Sequence, residues 1–302
     1  MASQLVECTA YADINFDYVI AGADDIIILK KVLLDVAKID EVATVAKGKT
    51  LVWNEEFNGN SLSNNFNFLQ TMNTASDSLS YAVTYDSQAN HKVEDGNLTL
   101  SVTKTDEGYS LCQGLTTANS MKFKYGYLEM NAKLPLQNGA WLSFWLLGNV
   151  EEPWRNHTLE WFSEFDIFES FGNSNIVSNV HRHGQNGASY GKEDSLDEKI
   201  SASLRQISVN DNEFHKYGFE WSQEEVKFYF DDICYYSLKF SEYPESAEIT
   251  DGLAGFYEPV YLVMNNEILT DQLNGTDPIS QDYVIDYIRL YQNTDTDQFI
   301  LN

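Results

Sequence analysis

Basic residues are scarce in this chain: 19 Lys and Arg stand against 46 Asp and Glu, a formal net charge of −27 over 302 residues. Phosphate neutralisation needs clustered cations, so nucleic acid is excluded as a partner. The same field opposes sulfated and other polyanionic polymers and leaves a neutral polymer or a small neutral ligand as the better fit. Cysteine is scarce too. Cys8, Cys112 and Cys234 are odd in number and far apart, which is neither a disulfide framework nor a zinc pattern. No apolar run reaches the length of a membrane span, so no membrane partner is expected. The opening MASQLVECTAYAD has neither the basic nor the apolar region of a signal peptide. The protein is expected either to stay in the cytoplasm or to have lost its signal already. Internal repeats and low-complexity tracts are also missing.

What is present suits a buried core: 43% of the residues are hydrophobic and 14% aromatic. Two regions differ in pattern. Residues 1–46 read as an acidic loop followed by a helix, in which Ile26, Leu29, Leu33 and Val36 recur at helical spacing. The basic connector KGKT, Lys47 to Thr50, marks the expected boundary. Residues 47–293 read as strands. GNLTLSVTK (Gly96–Lys104) alternates, and in GYLEMNAKL (Gly126–Leu134) Leu128, Met130, Ala132 and Leu134 oppose Tyr127, Glu129, Asn131 and Lys133. EVKFYFDDICYYS reads as a hairpin turning at Asp231-Asp232. Many strands with little helix predict an all-β, antiparallel sandwich. The polar tail, 294–302, is expected to fray.

One stretch carries chemistry. SEFDIFES, Ser163 to Ser170, sets Glu164, Asp166 and Glu169 among Phe165, Ile167 and Phe168. A solvated acidic face is the plain reading, but Trp161, Phe162 and Phe171 make the surroundings apolar, and carboxylates there have their pKa values pushed up or apart. Glu164 and Asp166 share one face of a strand, whereas a regular strand sends Glu169 to the other. A β-bulge absorbs one residue and returns Glu169 to the face of Glu164. The two glutamates then stand four strand steps apart, about 13 Å, which long side chains close only where the strand bends. Paired carboxylates of this kind serve retaining glycoside hydrolysis, one as nucleophile and one as acid and then base.

The ExDxxE strand resembles glycoside hydrolase family 16, in its laminarinase-like branch. LVWNEEFNG (Leu51–Gly59), NHKVEDGNLTL (Asn90–Leu100), KYGYLEMNAKLP (Lys124–Pro135), GAWLSFWLLG (Gly139–Gly148), FHKYGFEW (Phe214–Trp221), PVYLVMN (Pro259–Asn265) and IDYIRLYQ (Ile285–Gln292) follow in that family's order. The resemblance implies a concanavalin-like β-jelly roll and a secreted, monomeric endo-β-glucanase. Its expected substrate is a neutral β-1,3 or mixed β-1,3/1,4 glucan, and its catalysis needs no cofactor. It also implies roles: Glu164 as nucleophile, Asp166 as its assistant, Glu169 as acid/base. Asn90, Trp141, Trp145 and His181 are implied as substrate contacts, with core packing the competing expectation for one of the two tryptophans. A structural calcium is implied at Glu56, Gly96 and Asp286, against the reading of three ordinary surface residues. An endo-galactanase of agarase or carrageenase type, or a non-catalytic glycan-binding jelly roll, are the alternatives. Departures from the family pattern flank the expected cleft: Trp-Leu-Ser-Phe-Trp at 141–145, Gly114 before Leu-Thr-Thr where an arginine is common, and Glu267-Ile268 in place of a double glycine.

The N-terminal segment resembles one half of a dockerin, the module that docks bacterial glycanases onto a scaffoldin. Asp13, Asn15, Asp17 and Asp24 or Asp25 offer oxygen ligands at nearly EF-hand spacing ahead of ILKKVLL. That resemblance implies calcium and a cohesin partner. It departs from the pattern at Tyr18, where the loop normally needs glycine, and only one such segment is visible. A helix simply packed on the sandwich, without metal, is the competing expectation.

Overall fold

A computed structural model of the chain describes residues 44–69, 82–112, 114–148, 161–171, 175–184, 192–195, 206–209, 211–242, 256–269, 272–273 and 280–301. The chain divides into two compact units, Met1–Lys47 and Gly48–Asn302. Only the end of the first is among the described residues, so the expected N-terminal loop and helix, with Asp13, Asn15, Asp17, Asp24 and Asp25, lie outside them.

The second unit is built almost entirely of strands. They begin β1 (Thr50–Glu55), β2 (Asn67–Phe68), β3 (Ala82–Tyr85), β4 (His91–Glu94), β5 (Asn97–Lys104), β6 (Gly108–Leu111) and β7 (Leu115–Thr116). Next come β8 (Met121–Lys124), β9 (Gly126–Lys133), β10 (Ala140–Gly148), β11 (Trp161–Ser170), β12 (Asn175–Gly184), β13 (Lys192–Ser195) and β14 (Gln206–Ser208). The last are β15 (His215–Trp221), β16 (Glu225–Phe230), β17 (Ile233–Lys239), β18 (Val260–Ile268), β19 (Ser280–Gln292) and β20 (Gln298–Leu301). One sheet runs β17-β16-β15-β9-β19-β5-β6-β3, with β1 on β19 and β4 on β5. The other runs β13-β12-β11-β10-β18-β7-β2, with β14 on β12, β8 on β18 and β20 on β8.

The two sheets share one core, and alternation decides who enters it. Leu98, Leu100 and Val102 of β5, Leu128, Met130 and Ala132 of β9, and Ile285, Ile288 and Leu290 of β19 are all fully buried. Leu142, Phe144 and Leu146 of β10 meet them from the second sheet, with Val260, Leu262 and Met264 of β18. Each such side chain contributes about 1.5–3 kcal/mol by leaving water. A polar stitch crosses this interface: the Asn266 amide donates to the carbonyls of Leu100, at 2.7 Å, and Gln281, at 2.9 Å. Both acceptors belong to the opposite sheet, so the bond fixes the register of β18 against β5 and β19.

Two features differ from the sequence-based expectation. The sandwich is antiparallel except where β3 pairs with β6 in parallel, because the turn after Tyr85 feeds β4 without reversing the chain. The tail does not fray: β20 pairs with β8 in antiparallel register. Its turn closes when Asp297 accepts the Asn293 N–H at 2.8 Å. The buried Gln292 amide then donates to the Gln298 carbonyl at 2.9 Å and the Tyr125 carbonyl at 2.8 Å. The apolar Phe299 packs on the core, a signal diluted in the sequence by the polar residues before it.

The β16–β17 hairpin turns at Asp231-Asp232, as its sequence predicts, with φ of 47° and 68°. Side chains other than glycine resist that left-handed backbone. Here carboxylates offset the strain. Asp231 holds His215 Nδ1 at 2.8 Å and accepts the Lys216 N–H at 3.0 Å, while Asp232 pairs with Lys216 Nζ at 2.8 Å. His215 Nε2 also reaches Asp211 at 3.0 Å. Partial burial alone would lower the His215 pKa, but the hydrogen bonds and charges of Asp231 and Asp211 raise it above the ordinary imidazole value. A raised folded-state pKa gives stability that is full below the unfolded value and is lost as pH rises through the folded one. Replacing His215→Asn is therefore expected to cost about 1 kcal/mol near pH 5.5, as befits a half-exposed pair. Thermal unfolding across pH should show the gap closing as His215 deprotonates in the parent protein; a gap that widens toward alkaline pH contradicts this.

Candidate active site

Strand β11 sorts its side chains into two sets. Phe165, Ile167 and Phe168 lie in the inter-sheet core, none more than 2% exposed. Glu164, Asp166 and Glu169 belong to the opposite, outward face, together with Phe162, which packs in a separate cluster with Trp145, Leu147, Tyr261 and Val263. Ile167 and Phe168 are consecutive yet both enter the core, which a regular strand forbids. The pairing shows how. Against β12, Asp166 faces Asn179 but Glu169 faces Val177, so three steps on β11 match two on its neighbour. Against β10, Trp145 faces Asp166 and Phe144 faces Phe168, leaving Ile167 unmatched. The bulge anticipated from the spacing is present, and Glu169 rejoins the face of Glu164.

His181 comes to this face from β12, directly opposite Glu164. Its Nε2 lies 3.1 Å from Asp166 Oδ2, and Asp166 is 2% exposed. A buried carboxylate needs a compensating partner, and a protonated His181 would supply one as an ion pair. Donor atoms of Glu164, Asp166 and His181 all lie within 4.8 Å of one another. Such a set has the chemistry to coordinate a divalent ion, but the imidazole already serves Asp166. Burial pushes the Glu169 pKa well above the usual carboxylate range, and the negative charges of Asp166 and Glu164 add to it. The His181 charge and a hydrogen bond from Trp141 pull it back only in part. The face thus carries one carboxyl that resists ionisation, the property a general acid requires.

The remaining predicted contacts separate. Trp141 is half-buried on β10, its indole bonded to Glu169 and its ring 6.2 Å from Phe171 at an angle of 32°. Trp145 is 9% exposed and packs in the outward cluster, with its indole N–H given to Asn265 at 3.0 Å. Asn90 is 3% exposed, and its amide donates to the Asp86 carbonyl at 2.8 Å and to Ser110 Oγ at 2.7 Å. That amide nitrogen is committed to the loop before β4. None of these bonds links Asn90 to the three acids.

Of the positions expected to hold calcium, the Glu56 and Asp286 side chains have protein partners. Glu56 receives the Arg289 guanidinium on both oxygens, at 2.8 and 2.9 Å. Burial alone would raise the Glu56 pKa, yet the bonds from Arg289 and Asn54 hold it below the usual range. A cation therefore already neutralises this carboxylate. Asp286 accepts the Asn131 amide at 2.9 Å. Gly96 has a separate reason to be glycine: with Asp95 it forms the two-residue turn of the β4–β5 hairpin, at φ of 75° and 50°.

An antiparallel sandwich that carries two glutamates on one outward strand face, one of them reluctant to ionise, has the parts for glycoside hydrolysis. Residues 78–250 match the profile of the glycosyl hydrolases family 16, and the chain belongs to that family. It is similar to the endo-1,3-1,4-beta-glycanase EglC of Rhizobium meliloti, with 29% identity over 211 residues, 65% of this chain. The match spans only 39% of that relative's own length. Among solved structures it is similar to a laminarinase from Flavobacterium sp. UMI-01, at 26% identity and a TM-score of 0.60, covering 80% of this chain and all of the other. A laminarinase catalytic domain from Thermotoga maritima gives 27% identity and a TM-score of 0.58, covering 81% and 98%.

The residue that sequence reasoning missed is Asn265. Its carbonyl oxygen accepts both Trp145 Nε1 and Ser143 Oγ, the latter at 3.1 Å, and Ser143 stands opposite Glu169. Asn265 ends the PVYLVMN run, where a polar side chain closing an apolar strand was the available signal. Asn265→Ala leaves two buried donors without an acceptor, each costing about 1–3 kcal/mol. Denaturant unfolding should report a loss of about 2 kcal/mol or more; a variant as stable as the parent would show that Asn265 does not hold Trp145.

Proposed function

We propose that this protein is a retaining endo-β-glucanase that cuts internal β-1,3 or mixed β-1,3/1,4 linkages of a neutral glucan. The observation that carries the reading is the bulged strand, which sets Glu164 and a protonation-prone Glu169 on one face. In the first step Glu164 attacks the anomeric carbon while Glu169 gives its proton to the departing glycosidic oxygen. In the second, Glu169, now ionised, takes a proton from water, and the resulting hydroxide displaces Glu164 from the sugar. Asp166 serves by charge: it raises the cost of ionising Glu169 before the first step. His181 holds Asp166 in place and keeps that charge buried. The names of the relatives, a β-glycanase and laminarinases, agree with this chemistry. A net charge of −27 suits a neutral glucan better than a sulfated galactan. A glucan polymer does not cross membranes, so the protein acts outside the cell.

Reducing-sugar release from laminarin, lichenan and agarose tests the assignment. Wild type should cut laminarin or lichenan, and Glu164→Gln should lower the rate at least about 1000-fold without loss of folding. Release from agarose alone would move the protein to the galactanases; glucan binding without cleavage would make it a lectin-like module. Asp166→Asn removes a negative neighbour, so the Glu169 pKa falls. The alkaline limb of kcat/KM should then shift to lower pH, and an unmoved limb would show that Asp166 does not act through charge.

A further inference from the structure

Ile167 is the residue that the ladders of β11 leave out: it has no register partner on β10 and none on β12. It is nevertheless buried, and an unmet carbonyl there is costly. Ser178 meets it. This serine stands on β12 between Val177 and Asn179, which face Glu169 and Asp166, and its Oγ donates to the Ile167 carbonyl at 2.7 Å. Ser178 is fully buried, and the residues two before and two after it, Ile176 and Val180, belong to the apolar core. Its Oγ is also hydrogen-bonded to the Tyr235 hydroxyl, which comes from β17 in the opposite sheet. A carbonyl can only accept, so the serine proton goes to Ile167 and the phenol donates to the serine. Burial pushes the Tyr235 pKa up, which keeps the phenol protonated and able to donate.

Tyr235 reaches the core through an irregularity of its own. Against β16, Cys234 faces Tyr229 and Tyr236 faces Phe228, so Tyr235 is an extra residue in β17. Tyr235 and Tyr236 are consecutive yet both pack on the core, as Ile167 and Phe168 do. An extra residue in one sheet is thus joined to an extra residue in the other, from Tyr235 through Ser178 to Ile167.

We propose that Ser178 and Tyr235 are positioning residues: they clamp the β11 bulge from across the core and so hold Glu169 on the face of Glu164 and Asp166. The inference rests on the endo-glucanase reading for its effect on rate, and on the hydrogen bonds alone for its effect on Glu169. A slip of one residue sends every following side chain to the other face, so the bulge is where Glu169 gains or loses its place. On that face Glu169 meets Asp166, Glu164, His181 and Trp141. Without the serine bond the Ile167 carbonyl must find another donor, and the backbone shifts to reach one. Glu169 then leaves both its burial and its negative neighbours, the two causes that make it reluctant to ionise.

Glucan kinetics test this with Ser178→Ala and Tyr235→Phe, together with titration of the Glu169 carboxyl by carbon-13 NMR in glutamate-labelled protein. With KM little changed, kcat should fall about 10- to 100-fold in Ser178→Ala. Tyr235→Phe removes one hydrogen bond and should lower kcat about 2- to 12-fold. In both variants Glu169 should titrate at lower pH than in the parent. The double variant should be no slower than Ser178→Ala, since Tyr235 acts through Ser178. His215→Asn, a destabilising change on the neighbouring strand, should leave kcat and the Glu169 titration at their parent values. The clamp is refuted if Tyr235→Phe keeps the parent kcat and Glu169 titration, whether or not thermal stability falls. Where Ser178→Ala does not fold, Tyr235→Phe decides alone by the same readings. A wild type that cuts no β-glucan, while the Glu169 titration still moves in the variants, supports the clamp and overturns the endo-glucanase reading.

Discussion

The extra residue in β11 governs both faces of the strand at once. On the core side it lets Ile167 and Phe168 sink together between the sheets, where each is 2% exposed or less. On the outward side it moves Glu169 back into line with Glu164 and Asp166. Neither effect is separable from the other, because strand geometry fixes the side of every following residue. The hydrophobic gain of seating two large side chains therefore stabilises the backbone irregularity that brings the three acids to one face. A bulge placed anywhere else in the strand would break one set or the other.

The second constraint is electrostatic. An acidic chain sets three more carboxyls side by side, Asp166 buried and Glu164 and Glu169 partly exposed. His181 relieves part of this, and Glu169, though partly exposed as a residue, ionises reluctantly because its carboxyl is drawn out of water and faces two negative neighbours. The repulsion is thus turned to use. Elsewhere the protein handles its acids differently, with Arg289 on Glu56, Lys216 on Asp232 and His215 between two aspartates. Those acids are discharged by cations. On β11, by contrast, Asp166 and Glu164 act on a third acid, raising the Glu169 pKa.

Much of this was legible in the residues. Alternation placed Leu128, Met130 and Ala132 in the core, and the five-residue spacing between Glu164 and Glu169 suits a bulge, which the family resemblance implies. What stayed hidden was long-range. The tie between Asn265, Ser143 and Trp145 joins positions more than a hundred residues apart, and no local pattern announces it. The Arg289 guanidinium on Glu56 is likewise invisible until β1 lies beside β19. The C-terminal strand was missed because its apolar Phe299 and Ile300 follow a polar turn, and the pairing partner, β8, lies far upstream. The bonds from the Asn90 amide to Asp86 and Ser110 are likewise invisible in the sequence, since they depend on β6 lying beside the loop.

The account stands on Glu164 being the nucleophile and Glu169 its acid partner on the same face. Trapping the glycosyl-enzyme with a 2-deoxy-2-fluoro β-gluco-oligosaccharide, followed by peptide mass spectrometry, reads this directly. The account predicts one covalent sugar on Glu164 at stoichiometric yield. A label on Glu169, or steady turnover of glucan with inversion and no covalent adduct, would contradict it.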